Sequence, residues 1–147
     1  NICRGLTKQY PEHRNTFESN LAALLTEIDA LHNYGKEQLA SVSETGIVTF
    51  HDGFSYLADC YGLTIVRAIE EESGAEASAA ELIDIIGTLQ DHQLSCIFVE
   101  TNGSVSAAGI IAAETGARIF TLDMAMAGDS WFEAMYRNID TLKEALG

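Results

Sequence analysis

Basic residues are scarce in this chain of 147: eight Lys and Arg stand against 22 Asp and Glu, for a net charge of −14. So acidic a surface repels phosphodiester backbones, which argues against nucleic acid as a partner. It would also concentrate cations, although many soluble proteins are acidic without that role. No apolar run approaches the ~20 residues that a membrane span needs. No signal-peptide pattern opens the chain either. Asn1 to Leu6 read as the interior of a helix, so the sequence is expected to be a fragment with any targeting segment upstream. Cysteine is sparse: Cys3, Cys60 and Cys96 lie too far apart for a CxxC site or an evident disulfide framework. Cys96 falls in an apolar run and Cys60 closes a helical pattern, so both read as core-packing residues. A GxGxxG turn, a phosphate-binding GxxxxGK loop and a GxSxG elbow are all missing.

What remains is an ordinary globular composition, 47% apolar and 20% charged, at a length that suits one domain with a real core. Ile2, Leu6 and Tyr10 share a helical face that Pro11 interrupts. Phe17, Leu21, Leu24, Leu25, Ile28, Leu31, Leu39 and Val42 then keep the three-and-four spacing of one long helix, approaching 30 residues, with Gly35 as its soft spot. After Gly46 the pattern changes. Ile47–Phe50, Leu63–Arg67, Cys96–Val99 and Ala117–Leu122 read as buried strands. Helices follow each: Phe54 to Tyr61 ending at Gly62, a helix capped by Ser78 with Glu81 three residues on, Ser104 to Thr115 closed by Gly116, and a last helix from Asp129 or Ser130. Leu82, Ile83, Ile86 and Leu89 form the expected apolar face of the second of these; Ile69 to Ala77 reads as an acidic loop. This alternation predicts an α/β fold: a four-stranded parallel sheet flanked by helices and preceded by a long helix.

Open parallel sheets bind ligands beyond the carboxyl ends of their strands. Three of those ends carry His51, Glu100 and Asp123. One imidazole and two carboxylates on one rim suit zinc or manganese. Each residue alone has a plainer reading, as a hydrogen-bonding group or a helix cap, and the residues by themselves leave both open. Thr101 to Val105 could form a small nest of amides for an anion. His92 with Asp91 reads as solvated surface, and Trp131, Met124 and Met126 as packing or as the lining of a cleft. Two alternatives share this sheet: a metal-dependent enzyme built on Asp123, Glu100 and His51, and a receiver-like interaction module on a flavodoxin-like sheet. The module needs an acidic cluster at the first strand end, where only Asp52 is available.

Phe50-His51-Asp52-Gly53-Phe54, followed by Tyr56 and Tyr61-Gly62-Leu63, resembles the FHDAF-to-YGL segment of the cluster A-I solute-binding proteins, the zinc and manganese receptors of ABC importers. Ile97-Phe98-Val99-Glu100 resembles the family's FVE strand, Glu114 to Ala117 its helix-to-strand turn, Thr121-Leu122-Asp123 its LD segment, and Met135 to Leu142 its closing MxxNLxxL helix. Asn20 to Leu31 is similar to the helix that joins its lobes. The resemblance implies a binding protein rather than an enzyme, with two α/β lobes holding a metal between them and two ligands from each. His51 takes the position of the third ligand and Asp123 that of the fourth. Glu100 lies beside the site, a possible ligand but more in keeping with a neighbour, and Asp52 orients the groups around it. The other two ligands belong to an amino-terminal lobe that this chain lacks, which in zinc receptors often carries a His-rich loop. Histidine at position 51 favours zinc, with manganese the alternative. The implied partners are the missing lobe and the membrane subunits of an ABC importer. The implied location is extracytoplasmic, as a periplasmic protein or a cell-surface lipoprotein. Residues 1–43 would be the helical segment with the inter-lobe helix, and 44–147 the metal-binding lobe. Gly53 stands where the family usually has alanine, and Met124 where a proline often follows the aspartate. This half alone is expected to bind metal weakly, with water at the vacant positions.

Overall fold

Strands β1 (Gly46–Thr49), β2 (Thr64–Ala68), β3 (Cys96–Glu100) and β4 (Arg118–Leu122) form one parallel sheet in the order β2-β1-β3-β4. A helix follows each strand in turn: α3 (Ser55–Tyr61), α4 (Ala79–Asp91), α5 (Ser106–Thr115) and α6 (Trp131–Leu146). Two further helices, α1 (Ile2–Gln9) and α2 (Arg14–Gln38), precede the sheet. This α/β architecture, with a long leading helix, is the one that the sequence pattern predicts. The computed structural model describes residues 1–69, 78–101, 105–124 and 130–147. The expected acidic loop up to Ala77, the Asn102–Ser104 part of the amide nest, Met126 and Asp129 lie outside the described residues.

Two compact units result, Asn1–Gly35 and Lys36–Gly147. The second holds the sheet. Its centre is β3, whose Ile97 and Phe98 are wholly buried. Alternate residues of a strand face opposite sides. Ile97 and Val99 accordingly join Val48, Phe50, Ile85, Leu89, Ala108 and Ile111 in one core cluster, which fixes α4 and α5 on that side. Each such aliphatic side chain contributes about 1.5–3 kcal/mol on full burial. The carboxyl end of α6 is tied down by hydrogen bonds that satisfy its last carbonyls: Ser43 donates to Leu146 O and Arg118 to Ala145 O.

Several local expectations need correction. The outer strands are not buried runs: Ile119 of β4 is 39% exposed. Edge strands have a neighbour on one side only, and here the Arg118 guanidinium lies over the Phe120 ring, 5.0 Å from its centroid. Helix α4 is rotated from its expected face. Ile85 is buried and Ile83 is 70% exposed; Leu82 and Ile86 still pack against the core. Cys60 is exposed on α3, not packed in the core, while Cys96 is buried as expected. Helix α2 is 25 residues long and passes through Gly35, ending before Leu39 and Val42. The capping box at Ser78 and Glu81 is present. Gly62 and Gly116 end their helices with φ of 72° and 75°, a region open to glycine at little cost.

In the first unit, Pro11 opens a 3-10 turn between α1 and α2. Between these helices runs an apolar groove of about 620 Å³, lined by Ile2, Cys3, Leu6, Phe17, Leu21 and Leu24 among others. Leu24, Leu25 and Ile28 on α2 are exposed as well. No helix among the described residues is long and apolar enough to cross a membrane.

Candidate metal centre

The strand order reverses direction between β1 and β3: the chain goes from β1 outward to β2 and then returns past β1 to β3. At such a switch point the crossover helices diverge and leave a crevice at the carboxyl ends of the two strands. His51 follows β1 and Glu100 ends β3, and the fold brings them together across this crevice. His51 Nδ1 lies 3.8 Å from Glu100 Oε1 and 3.5 Å from Asp52 Oδ1.

The local sequence explains the placing of His51. Phe50 N–H still donates to Phe98 O across the sheet at 2.9 Å, so the strand alignment persists to the residue before the imidazole. Thr49, wholly buried, donates its hydroxyl to the His51 carbonyl at 2.8 Å. Gly53 N–H donates to His51 Nδ1 at 2.9 Å, so the imidazole caps the short turn that leads into α3. The plainer reading of His51 as a cap is therefore correct, and it is compatible with a ligand role. With Nδ1 accepting from its own loop, Nε2 is the ring nitrogen that would be left for a metal once it gave up its proton. The His51 side chain is 46% exposed and Glu100 27%.

Asp123 follows β4, one strand further along the same rim. Thr101 N–H and its hydroxyl both donate to Leu122 O, which anchors the β4 end to the β3 end. The Asp123 backbone is then held from α6. Its N–H donates to Asn138 Oδ1 and its carbonyl accepts from Asn138 Nδ2, both at 2.8 Å. Asn138 is buried, 1% exposed. The Asp123 side chain, 18% exposed, accepts from Arg137 Nη2 at 3.3 Å. Met124 ties this loop to the first one: a Cβ on Gly53 would meet Met124 Cε at 2.5 Å and Sδ at 2.9 Å. Met124 thus occupies the space beside Gly53, and the loops of His51 and Asp123 touch.

Among the described residues no group of three or more His, Cys, Asp or Glu side chains is placed to hold a metal ion. What the rim offers is fewer donors than a complete site: an imidazole and a carboxylate on neighbouring loops, with Glu100 beside the imidazole. Nitrogen and carboxylate oxygen together suit zinc, and zinc takes four ligands. The donor chemistry fits the metal, while the donor count leaves positions to be filled from elsewhere. Nucleophile chemistry finds no support at the opposite end of β3. Burial, reinforced by Glu44, pushes the Cys96 thiol up to about 11, so it stays protonated.

Sequence reasoning picked out His51, Glu100 and Asp123, and missed Arg137 and Asn138 as parts of the same constellation. Asn138 carried a readable signal, since it is an amide on the side of α6 that also presents Ala134, Leu142 and Ala145 to the core. A buried amide there requires partners. Asp91 and His92 are exposed at the end of α4 and form no part of the rim constellation.

Residues 1–145 match the family model described as zinc-uptake complex component A, periplasmic. The zinc-binding lipoprotein AdcA of Streptococcus pneumoniae is 30% identical over 148 residues, covering 95% of this chain and 30% of AdcA. A crystal structure of ZnuA superposes with a TM-score of 0.86 at 32% identity, covering 99% of this chain and 54% of that one. The solute-binding protein FpvC of Pseudomonas aeruginosa, solved in complex with Mn2+, gives 0.84 at 28% identity, with 99% and 56% covered. This chain therefore spans only about a third to a half of the proteins it resembles.

Proposed function

The chain belongs to the family of zinc-uptake complex component A, and from that premise we propose that it is the carboxy-terminal lobe of an extracytoplasmic receptor that delivers zinc to an ABC-type importer. The reading is one of binding and release without turnover. Its cargo is a divalent transition metal, zinc by preference and manganese as the alternative. Support for zinc comes from the imidazole of His51 and from the naming of AdcA as a zinc-binding lipoprotein. Support for manganese comes from the FpvC complex. In this proposal residues 1–43 carry the inter-lobe helix and 44–147 form the lobe.

The observation that carries the proposal is a donor set, incomplete among the described residues, on the rim at and beside the β1/β3 switch point, on a chain spanning 54% of ZnuA. His51 through Nε2 and Asp123 through its carboxylate are the two proposed ligands. Glu100 and Asp52 act on the other ring nitrogen. Metal at Nε2 needs that nitrogen's lone pair, which moves the ring proton to Nδ1; Nδ1 then gives up the hydrogen bond that it accepts from Gly53 N–H and donates to a carboxylate instead. The two remaining ligands would come from a preceding lobe. The exposed apolar groove between α1 and α2 gives such a lobe a surface to cover. A metal shared between lobes fixes their relative position, which is a state that the importer's membrane subunits can recognise. The same family description supports a periplasmic or lipid-anchored location.

Zinc titration of this chain by calorimetry, alongside His51→Ala and Asp123→Ala, tests the assignment. The expected affinity is weaker than micromolar and drops further in each variant. Submicromolar binding by a monomer, or binding indifferent to both substitutions, would remove the two-ligand reading. Manganese in competition reports selectivity.

A further inference from the structure

Arg137 is one of only eight basic residues in a chain of net charge −14, and it stands against the proposed metal ligand Asp123. Its guanidinium Nη2 is 3.3 Å from Asp123 Oδ2. Nothing in the packing forces it there, for its side chain is 62% exposed. The neighbouring Asn138, by contrast, is buried and already secures the Asp123 backbone through two hydrogen bonds. The arginine is thus not needed to position the loop. Its effect falls on the carboxylate charge itself.

We propose that Arg137 sets the affinity of the site by holding Asp123 against the incoming metal, so that it favours release. The proposal rests on the reading of Asp123 as a ligand. A divalent cation bound to this carboxylate sits about 2 Å from the oxygen. The guanidinium on the other oxygen is then roughly 5 Å from the metal. In a dielectric near that of water, as the exposure of Arg137 demands, one positive charge at that distance from a divalent ion opposes binding by about tenfold. A delivery protein has use for such a term, because a ligand that is already neutralised gives the ion up more readily.

The test is zinc binding by the chain, followed through the ring proton resonances of His51, in four proteins: parent, Arg137→Gln, Arg137→Lys and Asp123→Ala. Arg137→Gln should tighten binding about tenfold and lower the dissociation rate. Arg137→Lys, which keeps the charge, should stay within about twofold of the parent. Asp123→Ala should weaken binding. If Arg137→Gln binds zinc as the parent does, or more weakly, while Asp123→Ala still loses affinity, the arginine does not oppose the metal and this inference alone falls. Equal tightening in Arg137→Lys would also overturn it, since charge would then not be the cause. If Asp123→Ala binds normally, the ligand assignment falls and takes the inference with it. Far-ultraviolet dichroism of each variant separates these results from misfolding.

Discussion

Replacing Asn138 with alanine should destabilise the sheet unit and weaken metal binding together, although Asn138 touches no metal on the proposed reading. The side chain is 1% exposed and exchanges two hydrogen bonds of 2.8 Å with the Asp123 backbone. Removing it leaves an N–H and a C=O without those partners. Each such loss costs about 1–3 kcal/mol where water cannot enter freely, and less where it can. Asp123 is only partly buried, so a total of about 3 kcal/mol is reasonable. At this chain length that corresponds to a fall in Tm of about 6–12 °C. Urea denaturation followed by dichroism measures it directly. Asn138→Asp sharpens the test. The carboxylate keeps an acceptor for Asp123 N–H but turns an oxygen towards the Asp123 carbonyl, in a site that disfavours charge. The pKa of the introduced carboxyl is then raised in the folded state. Its contribution to stability is therefore largest below the unfolded value near 4 and is lost as pH rises through the folded value. The deficit of this variant should shrink from pH 7 towards pH 4, while that of Asn138→Ala should not. A loss under about 1 kcal/mol for the alanine variant, or a pH-independent deficit for the aspartate variant, would refute the clamp.

Gly53→Ala should cost about 1 kcal/mol, because the new methyl meets Met124 Cε at 2.5 Å and Sδ at 2.9 Å and the thioether must swing away. In a Met124→Ala background the cost should fall without vanishing, because the new methyl still meets His51 Nδ1 at 3.0 Å, so additive effects in this double-mutant cycle would contradict the Met124 contact. Hydrogen bonds from the Ser78 hydroxyl and backbone hold the Glu81 carboxyl below its usual range. The part of this box's stability that the Glu81 carboxylate supplies is thus complete above the unfolded glutamate pKa and lost as pH falls through the depressed folded value; the gap in urea midpoint between Ser78→Ala and the parent should narrow in acid without closing, since the Ser78 hydroxyl still accepts from Glu81 N–H. Under native conditions at pH 8, a thiol reagent should label exposed Cys60 quickly and reach Cys96 only on unfolding, since Cys96 is 1% exposed and its thiol is pushed up to about 11. Equal labelling rates would refute the burial of Cys96.

Much of this fold is legible in the sequence because its signals are strong and local. Cys96 to Val99 is a continuous apolar run, and a strand buried on both faces has that composition. Ser78 and Glu81 mark a helix start through hydrogen bonds that depend only on three-residue spacing. Gly62 and Gly116 mark helix ends because their backbone angles suit glycine. The misreadings occur where tertiary context decides. The α4 sequence offers Ile83, Ile85 and Ile86, and periodicity alone does not say which way the helix rolls onto the sheet. Cys60 ends an amphipathic stretch, but α3 is too short for its stripe to be defined. The edge strand β4 shares an Ile-Phe pair with β3 but carries Arg118 and Thr121 where β3 has Cys96 and Val99, and the strand order reveals that it has one neighbour. The candidate site divides in the same way. The strand ends point to His51, Glu100 and Asp123, because a parallel sheet sends all its carboxyl ends to one rim. Arg137 and Asn138 reach that rim from α6, through contacts spanning about fifteen residues that no local spacing encodes.

The two halves of the Asp123 environment act on different parts of the residue, and that separation bears on how such a site can work. Asn138 holds the main chain from a buried position, whereas Arg137 holds the side chain from an exposed one. A rigid backbone keeps the carboxylate near the crevice whether or not metal is present, so little ordering entropy is lost on binding. An exposed ion pair is by nature weak and exchangeable. His51 is built similarly, with its carbonyl held by buried Thr49 and its ring held, among the described residues, by Gly53 N–H and nearby carboxylates. In both cases the frame is fixed and the donor atom is lightly restrained. On the receptor reading, this lobe is a preorganised half of a site whose tightness comes from adding the second half. Separating the lobes would then return each ligand to a neighbour that is already waiting: Asp123 to Arg137, and His51 to its own turn. On that reading, release of the ion would require no unfolding, only the withdrawal of the donors that the other lobe would supply.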